Sequence, residues 1–441
     1  MRPVVTTVAT AALLASTAHA TPAQQPADSA APTAANDRVI AALRAHSTSF
    51  TVSNGELHGA GADSLTRIAR ENQFLMVGED HGMQEAPAFV GALFNAARPA
   101  GYRHLAIEVG PIGARSLEGM MRDTAPQRRV EGFLRAHTSF SIPFFNWREE
   151  SAMLQAVVHS VRQTTDVLWG LDQEFIFAPT DDFERLEQIG PTPASRALAR
   201  RYATESKALD ERTMSQGNPM LLWIFSSTDA NVAQFVRDYH AGEGSEAAAI
   251  LHELTVSREI YQKYTRGENY ASNLQRSELM RRHFVEWYRA AVARGERAPR
   301  IVFKFGGNHM IRGPSLTDTY ELGTFVPEFA LASGSHSFNM MLLAGKGTTN
   351  EYRPFGSSES DKAKAYDIAG ADSQLVSLDM RMFVASAAGN DDSWTFIDLR
   401  PVRAMAHDGK LPALPAPLKR AFLSFDAIVI APHAHASTLL F

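Results

Sequence analysis

The sequence predicts an α/β fold with a mostly parallel central sheet flanked by helices, and an all-helical insertion that caps the carboxyl edge of the sheet. Two patterns lead to this prediction. Short apolar runs alternate with helical segments from about 70 to 172, which is typical of parallel strands joined by right-handed crossovers. From about 180 to 297 the periodicity is almost entirely helical, and strand-like runs then return.

Four of the predicted strands are apolar runs that end in polar residues. They are FLMVGEDHG (74–82), LAIEVG (105–110), VLWGLD (167–172) and IVFKFGGNH (301–309). Helices are predicted for 84–98 and 147–163, where apolar residues recur at helical spacing. Further strands are predicted for 325–331, 338–344, 394–399 and 426–431.

The polar residues at these strand ends are candidates for a catalytic site. In a parallel sheet the carboxyl ends of the strands share one rim, where ligands bind. A buried carboxylate without a partner costs several kcal/mol, so it needs a partner or a raised pKa. The predicted catalytic residues are Glu79, His81, Glu108 and His309. Structural ion pairs, or a core histidine at position 309, are the alternative interpretation.

Five further residues are predicted to bind substrate or to support the site. They are Glu85, Arg148, Asp172, Arg276 and Arg312. Asp172 also has the pattern of a helix-capping residue. Each arginine has the alternative interpretation of an ordinary surface residue.

Composition excludes several classes of function. The 441 residues include no cysteine, which rules out disulfides, thiolate nucleophiles and cysteine-ligated zinc or iron–sulfur centres. A net charge of −5 gives no support for nucleic-acid binding. The sequence contains no P-loop, no G-x-S-x-G nucleophile elbow and no HExxH zinc motif.

The first 36 residues have the pattern of an export signal and a tether. Residues 1–20, MRPVVTTVATAALLASTAHA, are predicted to be a secretory signal peptide, with an uncleaved anchor as the alternative. Residues 21–36 are predicted to be a disordered linker, and residues 37–441 a single α/β hydrolase-like domain with the insertion at 180–297. We therefore expect an exported protein, periplasmic or secreted, with no transmembrane span after signal cleavage.

At these residues the chain resembles the erythromycin esterase-like family. The loop GEDHG (78–82) is similar to the family's Gly-Glu-x-x-His-Gly loop with one residue fewer, and AIEVG (106–110) is similar to its second strand. Other similar segments are Gly170–Leu171–Asp172, Arg276 with Met280, Asp398–Leu399–Arg400 and Phe425–Asp426–Ala427. The order is kept from about 70 to 432. The chain departs from the family at 306–309, where Gly-Gly-Asn-His replaces His-Asn-x-His and lacks the first histidine.

This resemblance implies a hydrolase that cleaves an ester, lactone or amide bond in a small-molecule or peptide substrate. His81 or Glu79 would activate water, and Glu108 would hold or share the proton. His309 would stabilise the oxyanion or protonate the leaving group.

Two related groups imply alternative functions. GGNHMIRG (306–313) is similar to the Gly-x-Gly-His segment of the Tiki/TraB proteins, which implies a metal-dependent peptidase. Manganese, cobalt or zinc would then be held by Glu79, His81, Glu108 and His309. GEDH (78–81) is similar to the opening of ChaN-like haem-binding proteins, which implies a haem or iron carrier with His81 or His309 as axial ligand.

Overall fold

A nine-stranded sheet lies at the centre of the computed structural model, which describes residues 34–138, 140–350, 363–367, 378–387 and 393–440. The strands of the model are β1 Ser47–Ser53, β2 Glu56–His58, β3 Phe74–Glu79, β4 Tyr102–Ile107, β5 Leu168–Gly170, β6 Arg300–Gly306, β7 Ser337–Ala344, β8 Lys346–Asn350, β9 Ala363–Asp367, β10 Trp394–Asp398 and β11 Ala427–Ala431.

The strand order in the sheet is β2-β1-β10-β11-β7-β3-β6-β4-β5. The strands from β11 to β5 pair in parallel, and β10, β1 and β2 add an antiparallel edge. The predicted mostly parallel sheet is therefore confirmed. β8 and β9 form a separate antiparallel pair.

Helices flank the sheet on both faces, so strands such as β3 are buried at every position. They are α1 Ala34–Ala45, α2 Ala60–Glu71, α3 Glu85–Ala97, α4 Pro111–Met121, α5 Pro126–Ala136, α6 Arg148–Ser160, α7 Ala178–Ile189, α8 Pro193–Gln216, α9 Trp223–Ser226, α10 Asp229–Tyr239, α11 Glu246–Thr265, α12 Asn269–Ala293, α13 Leu322–Ala332, α14 Arg381–Ala387, α15 Leu399–His407 and α16 Ala416–Ser424.

The strand predicted for 325–331 is wrong, because this segment belongs to helix α13. Leu322, Val326 and Ala330 are buried at intervals of four residues, which places them on one helical face. Phenylalanine and valine in this segment favour a strand locally, but burying the helical face outweighs that preference.

The helical block between β5 and β6 consists of α7 to α12 and has an apolar core of its own. Phe183 is central to it and packs edge-to-face against Trp223 and Phe235 at centroid distances of 5.0 and 5.2 Å. The last helix of the block joins the two cores, because Phe284 of α12 packs edge-to-face on Phe74 of β3. Phe74 is the first residue of β3, so this contact fixes the C-terminal part of α12 near the amino end of that strand.

The predicted signal peptide and residues 21–33 of the predicted linker lie outside the described residues. Helix α1 begins at Ala34, so the last residues of the predicted linker are helical. Within the described ranges no helix has the length and apolar character needed to cross a membrane.

Candidate active site

The carboxyl ends of four neighbouring strands bring six of the predicted residues together. Strands β3, β6, β4 and β5 are adjacent in the sheet. Glu79 ends β3, and Glu108 directly follows β4. Helix α12 adds Arg276 from above the rim, where it meets Asp172 beyond β5. The convergence expected from the parallel topology is thus present in the structure.

Carboxylates and imidazoles alternate along a buried chain of five residues. The His81 imidazole lies between two glutamates, with Nδ1 3.0 Å from Glu79 Oε1 and Nε2 3.4 Å from Glu108 Oε2. His309 extends the chain, with Nε2 3.3 Å from Glu108 Oε1 and Nδ1 3.1 Å from Glu321 Oε2. The His81 side chain is 16% exposed and Glu79 only 1%, so the chain is most accessible to solvent at His81. We call these five residues the Glu/His chain.

Glu108 is the central member of the Glu/His chain and forms two hydrogen bonds in addition to its ion pairs with the two imidazoles. Besides the two imidazoles, the backbone N–H of Gly306 donates to Oε2 at 2.6 Å and Arg276 Nη2 donates to Oε1 at 3.2 Å. Arg276 also binds Asp172 with two hydrogen bonds of 2.9 and 2.6 Å. Burial alone would raise the pKa of Glu108, but the charges of His309 and His81 outweigh it and hold that pKa well below its usual range. Glu108 is therefore ionised.

Both imidazoles of the chain carry a proton at neutral pH. Burial alone would lower the pKa of His81, but Glu108 and Glu79 outweigh it and raise that pKa to about 10. The pKa of His309 rises to about 9, because Glu108 and Glu321 outweigh the same effect of burial. Each imidazolium can therefore donate a hydrogen bond or a proton.

A buried ion-pair cluster lies beneath the chain. Lys304 Nζ, in the middle of β6, lies 2.5 Å from Glu79 Oε1 and 2.7 Å from Glu150 Oε1. Burial would raise the pKa of Glu79, but Lys304 and His81 hold it below its usual value. The pKa of Glu150 rises to about 7, because burial and Glu79 together outweigh the attraction of Lys304. Lys304 thus forms ion pairs with two carboxylates whose pKa values differ.

The loop between α5 and α6 covers His81. The Phe144 ring stacks on the His81 imidazole at a centroid distance of 4.0 Å and an interplanar angle of 16°. Phe144 has φ 67, a left-handed backbone conformation that is unusual for a residue other than glycine. On the other side, Gly82 (φ 91) passes so close to Asn350 that a Cβ would lie 1.9 Å from its carbonyl oxygen. His81 is therefore fixed by both flanking loops.

Two supporting residues predicted from the sequence lie outside this cluster. Glu85 begins α3 and accepts hydrogen bonds from the backbone N–H (2.9 Å) and Nδ1 (2.6 Å) of His435. Arg148 begins α6 and donates to the backbone oxygen of Leu440 at 3.2 Å. Both residues lie away from the cluster for the same reason. Their charged groups bind the final segment of the chain and hold it against α3 and α6.

Arg312, which the sequence predicts to support the site, also lies outside the cluster. It forms an ion pair with Asp426, which directly precedes β11, and donates to the side chain of Asn339 in β7 at 3.2 Å. Asn339 is the third residue of its strand, so Arg312 lies toward the amino ends of these strands. The chain after His309 therefore runs back across the sheet, away from the rim.

Sequence reasoning missed four residues that contact the cluster. Two of them carried a usable signal: Lys304 is a charge within an apolar strand, and Glu150 lies on the apolar face of α6. Glu321 directly precedes α13, where the sequence predicts a strand, and Phe144 lies in a loop without a motif. For these last two the sequence gives no local signal.

The four residues predicted as metal ligands do not fit a divalent cation in this arrangement. They form no group of ligand atoms within 4.8 Å of one another in the described part of the chain. Lys304 already neutralises Glu79, and Arg276 already neutralises Glu108. A haem iron fits no better, since both nitrogens of His81 and of His309 face carboxylates.

Solved structures with this fold cover almost the whole chain. A variant of erythromycin esterase EreC in an open conformation has a TM-score of 0.58 and 13% identity, and covers 90% of this chain and 99% of that one. A protein from Bacillus cereus has a TM-score of 0.54 at 13% identity, with 92% and 99% covered. A succinoglycan biosynthesis protein has a TM-score of 0.56 at 10% identity, with 93% and 100% covered.

No protein-family model matches the chain, and no curated protein matches it by sequence. At 10–13% identity the likeness to the solved structures is one of fold. The protein therefore has an α/β fold that it shares with erythromycin esterase EreC.

Proposed function

We propose that the protein is a hydrolase of the erythromycin esterase-like type, which cleaves an ester, lactone or amide bond by addition of water. The observation that carries this proposal is the Glu/His chain, in which buried carboxylates alternate with charged imidazoles at the rim of the sheet. Such a set supplies both an acid and a base at one rim of the sheet. The fold shared with an erythromycin esterase supports the same reaction class.

The acid role belongs to the two imidazoles. Because the pKa of His81 is about 10 and that of His309 about 9, both are imidazolium ions at neutral pH. The N–H at His309 Nε2, which makes no hydrogen bond to any described residue, can stabilise the oxyanion that forms when water adds to a carbonyl carbon. It can also pass its proton to the oxygen or nitrogen that leaves. Glu108 then acts as a positioning residue that orients both rings.

The base role belongs to Glu79. Its Oε1 accepts from His81 and Lys304, but its buried Oε2 has no hydrogen-bond partner among the described residues. That oxygen can accept a proton from the attacking water, whose hydroxide adds to the carbonyl carbon. The second proton transfer, from an imidazolium to the leaving group, completes the hydrolysis. A free His81 base is a weaker candidate, since its proton is held by two carboxylates.

We also propose that the protein is exported, on the strength of its first 20 residues. Mass spectrometry of the N-terminus of protein recovered outside the cytoplasm tests this. A mature chain that begins after Ala20 supports cleavage of a signal peptide. An intact N-terminus in that fraction contradicts cleavage, and recovery of the protein only from the cytoplasm contradicts export.

A panel of chromogenic esters, lactones and amides tests the hydrolase proposal. With the best substrate, Glu79→Gln and His309→Asn should each lower kcat by about 100-fold or more, as loss of a general acid or base does. Glu328→Gln, an exposed change on α13, is the matched control and should leave kcat unchanged. Full activity in both site variants would sink this assignment.

A further inference from the structure

A second group of ligating side chains lies outside the Glu/His chain. His137 follows α5, and Asp181 and Glu184 lie one turn apart on α7. One nitrogen and two carboxylate oxygens from these residues lie within 4.8 Å of one another, and no other such group occurs in the described ranges. We propose that His137, Asp181 and Glu184 bind a divalent transition metal of the zinc class. We call this the α5–α7 site.

The orientation of the His137 ring fits this role. Its Nδ1 lies 2.9 Å from the backbone oxygen of Phe133, so this nitrogen donates its hydrogen there. In the neutral ring the lone pair is then on Nε2, which lies 3.0 Å from Glu184 Oε2. Metal-binding histidines usually have their other ring nitrogen bonded to a carbonyl or carboxylate in this way. The backbone thus prepares Nε2 to bind a cation.

Asp181 provides an independent reason to expect a cation. Its carboxylate accepts no hydrogen bond from any described residue, and the residue is partly buried. The neighbouring arginine, Arg185, is turned toward Glu246, with Nε 2.7 Å from its Oε1. A partly buried carboxylate with no donor is costly unless a proton or a metal neutralises it.

The donor set also limits the kind of metal. Imidazole nitrogen with carboxylate oxygens suits zinc and its neighbours, whereas calcium and magnesium prefer oxygen ligands only. His137 is 9% exposed and Glu184 38%, so the site opens to solvent on the Glu184 side. A bound ion would tie the end of α5 to α7. The segment that follows His137 carries Phe144, so the ion would also fix one end of the loop over His81.

Metal titration of the full chain tests this proposal. After removal of metal with a chelator, Zn²⁺ is titrated by calorimetry and Co²⁺ by visible absorption. We expect one equivalent to bind, with the d–d bands of a nitrogen–oxygen site and a higher melting temperature with Zn²⁺. His137→Gln and Asp181→Asn should each abolish binding, and Glu184→Gln should weaken it strongly. Absence of stoichiometric binding to the wild-type chain would overturn the proposal.

Two control variants separate this site from other possibilities. Glu187→Gln changes a carboxylate on the same helix that pairs with Arg200, and it should bind metal as the wild type does. His81→Gln should also keep full binding, because His81 belongs to the Glu/His chain. Binding that is lost in His81→Gln and retained in folded His137→Gln would assign the metal to the candidate active site and refute the α5–α7 site. If His137→Gln does not fold, the more exposed Glu184→Gln decides in its place.

Discussion

Lys304 and Glu79 form an ion pair inside the central sheet, with Nζ and Oε1 2.5 Å apart and the two side chains 4% and 1% exposed. A charge pair in such surroundings loses its hydration, and it persists because a second carboxylate, Glu150, shares the lysine. The same lysine keeps Glu79 ionised beneath the candidate site. Stability and the chemistry of the site are therefore coupled through one residue.

Lys304→Met should destabilise the protein by about 3–5 kcal/mol, because it leaves a buried carboxylate pair without its cation. Urea-induced unfolding measures the change. Adding Glu150→Gln to Lys304→Met should recover part of the loss, since one of the two charges is then removed. Lys410→Met, which breaks an exposed pair with Asp408, is the control and should change stability by less than about 1 kcal/mol. A similar loss in the control would contradict this account.

Glu321→Gln should lower the pKa of His309 from its value of about 9, because the ring loses one of its two carboxylate partners. Side-chain nitrogen NMR of histidine-labelled protein measures the titration, and His309→Gln assigns the signal. Glu328→Gln lies on the exposed side of α13 and should leave the titration unchanged. An unaltered titration in Glu321→Gln would mean that Glu321 does not hold the proton on His309.

Stability should fall as the solution becomes alkaline. His81 and His309 bind their protons more tightly in the folded protein, with pKa values of about 10 and about 9, than in the unfolded chain, where the value is about 6.5. Their contribution is therefore complete below about pH 6.5 and is lost as pH rises through about 9 to 10. Unfolding free energies across this range measure the effect. The decline should be smaller in His309→Gln, and an equal decline would argue against the assignment.

Gly306→Ala should impair the site more than it impairs the fold. A Cβ at this position would lie 2.9 Å from His81 Nε2 and 3.3 Å from Glu108 Oε2, so the imidazole must move. We expect a loss of about 1–3 kcal/mol in stability, as for other overpacked positions, and a larger proportional loss of hydrolysis. Gly119→Ala on α4 is the control, because its Cβ would meet nothing within 4 Å. Urea unfolding and kcat measurements on both variants provide the comparison.

The rim of the sheet was predictable because it follows from topology. Glu79 and Glu108 each follow a short apolar run, and parallel pairing of those runs brings their ends together without knowledge of any distant contact. Arg276 is predicted as a supporting residue and is also part of the resemblance to a family, but its helix has no local feature that points to the rim. Glu79 and Glu108 could be placed at the rim from strand positions and chain direction alone.

Contacts that depend on the path of a loop between two elements could not be predicted from the sequence. Arg312 is three residues from His309 in the sequence, yet the chain turns back and pairs it with Asp426. Glu321 reaches His309 only because the turn before α13 closes through Thr319, whose hydroxyl donates to Glu321 at 2.6 Å. Periodicity describes one element at a time and carries no information about such closures.

The backbone at Phe144 should reverse the usual order of stability between alanine and glycine. A left-handed conformation costs an ordinary residue about 1–2 kcal/mol and costs glycine almost nothing. Phe144→Ala and Phe144→Gly both remove the ring over His81, so the difference between them isolates the backbone. We expect Phe144→Gly to be the more stable of the two by about 1 kcal/mol in urea unfolding.

Position 119 supplies the opposite case for the same measurement. Gly119 lies within helix α4, where alanine should be the more stable residue by roughly 0.5–1 kcal/mol. The two positions should therefore give differences of opposite sign. If Phe144→Ala proved as stable as Phe144→Gly, the loop over His81 would be free to leave its left-handed conformation, and the stacked ring rather than the backbone would hold it in place.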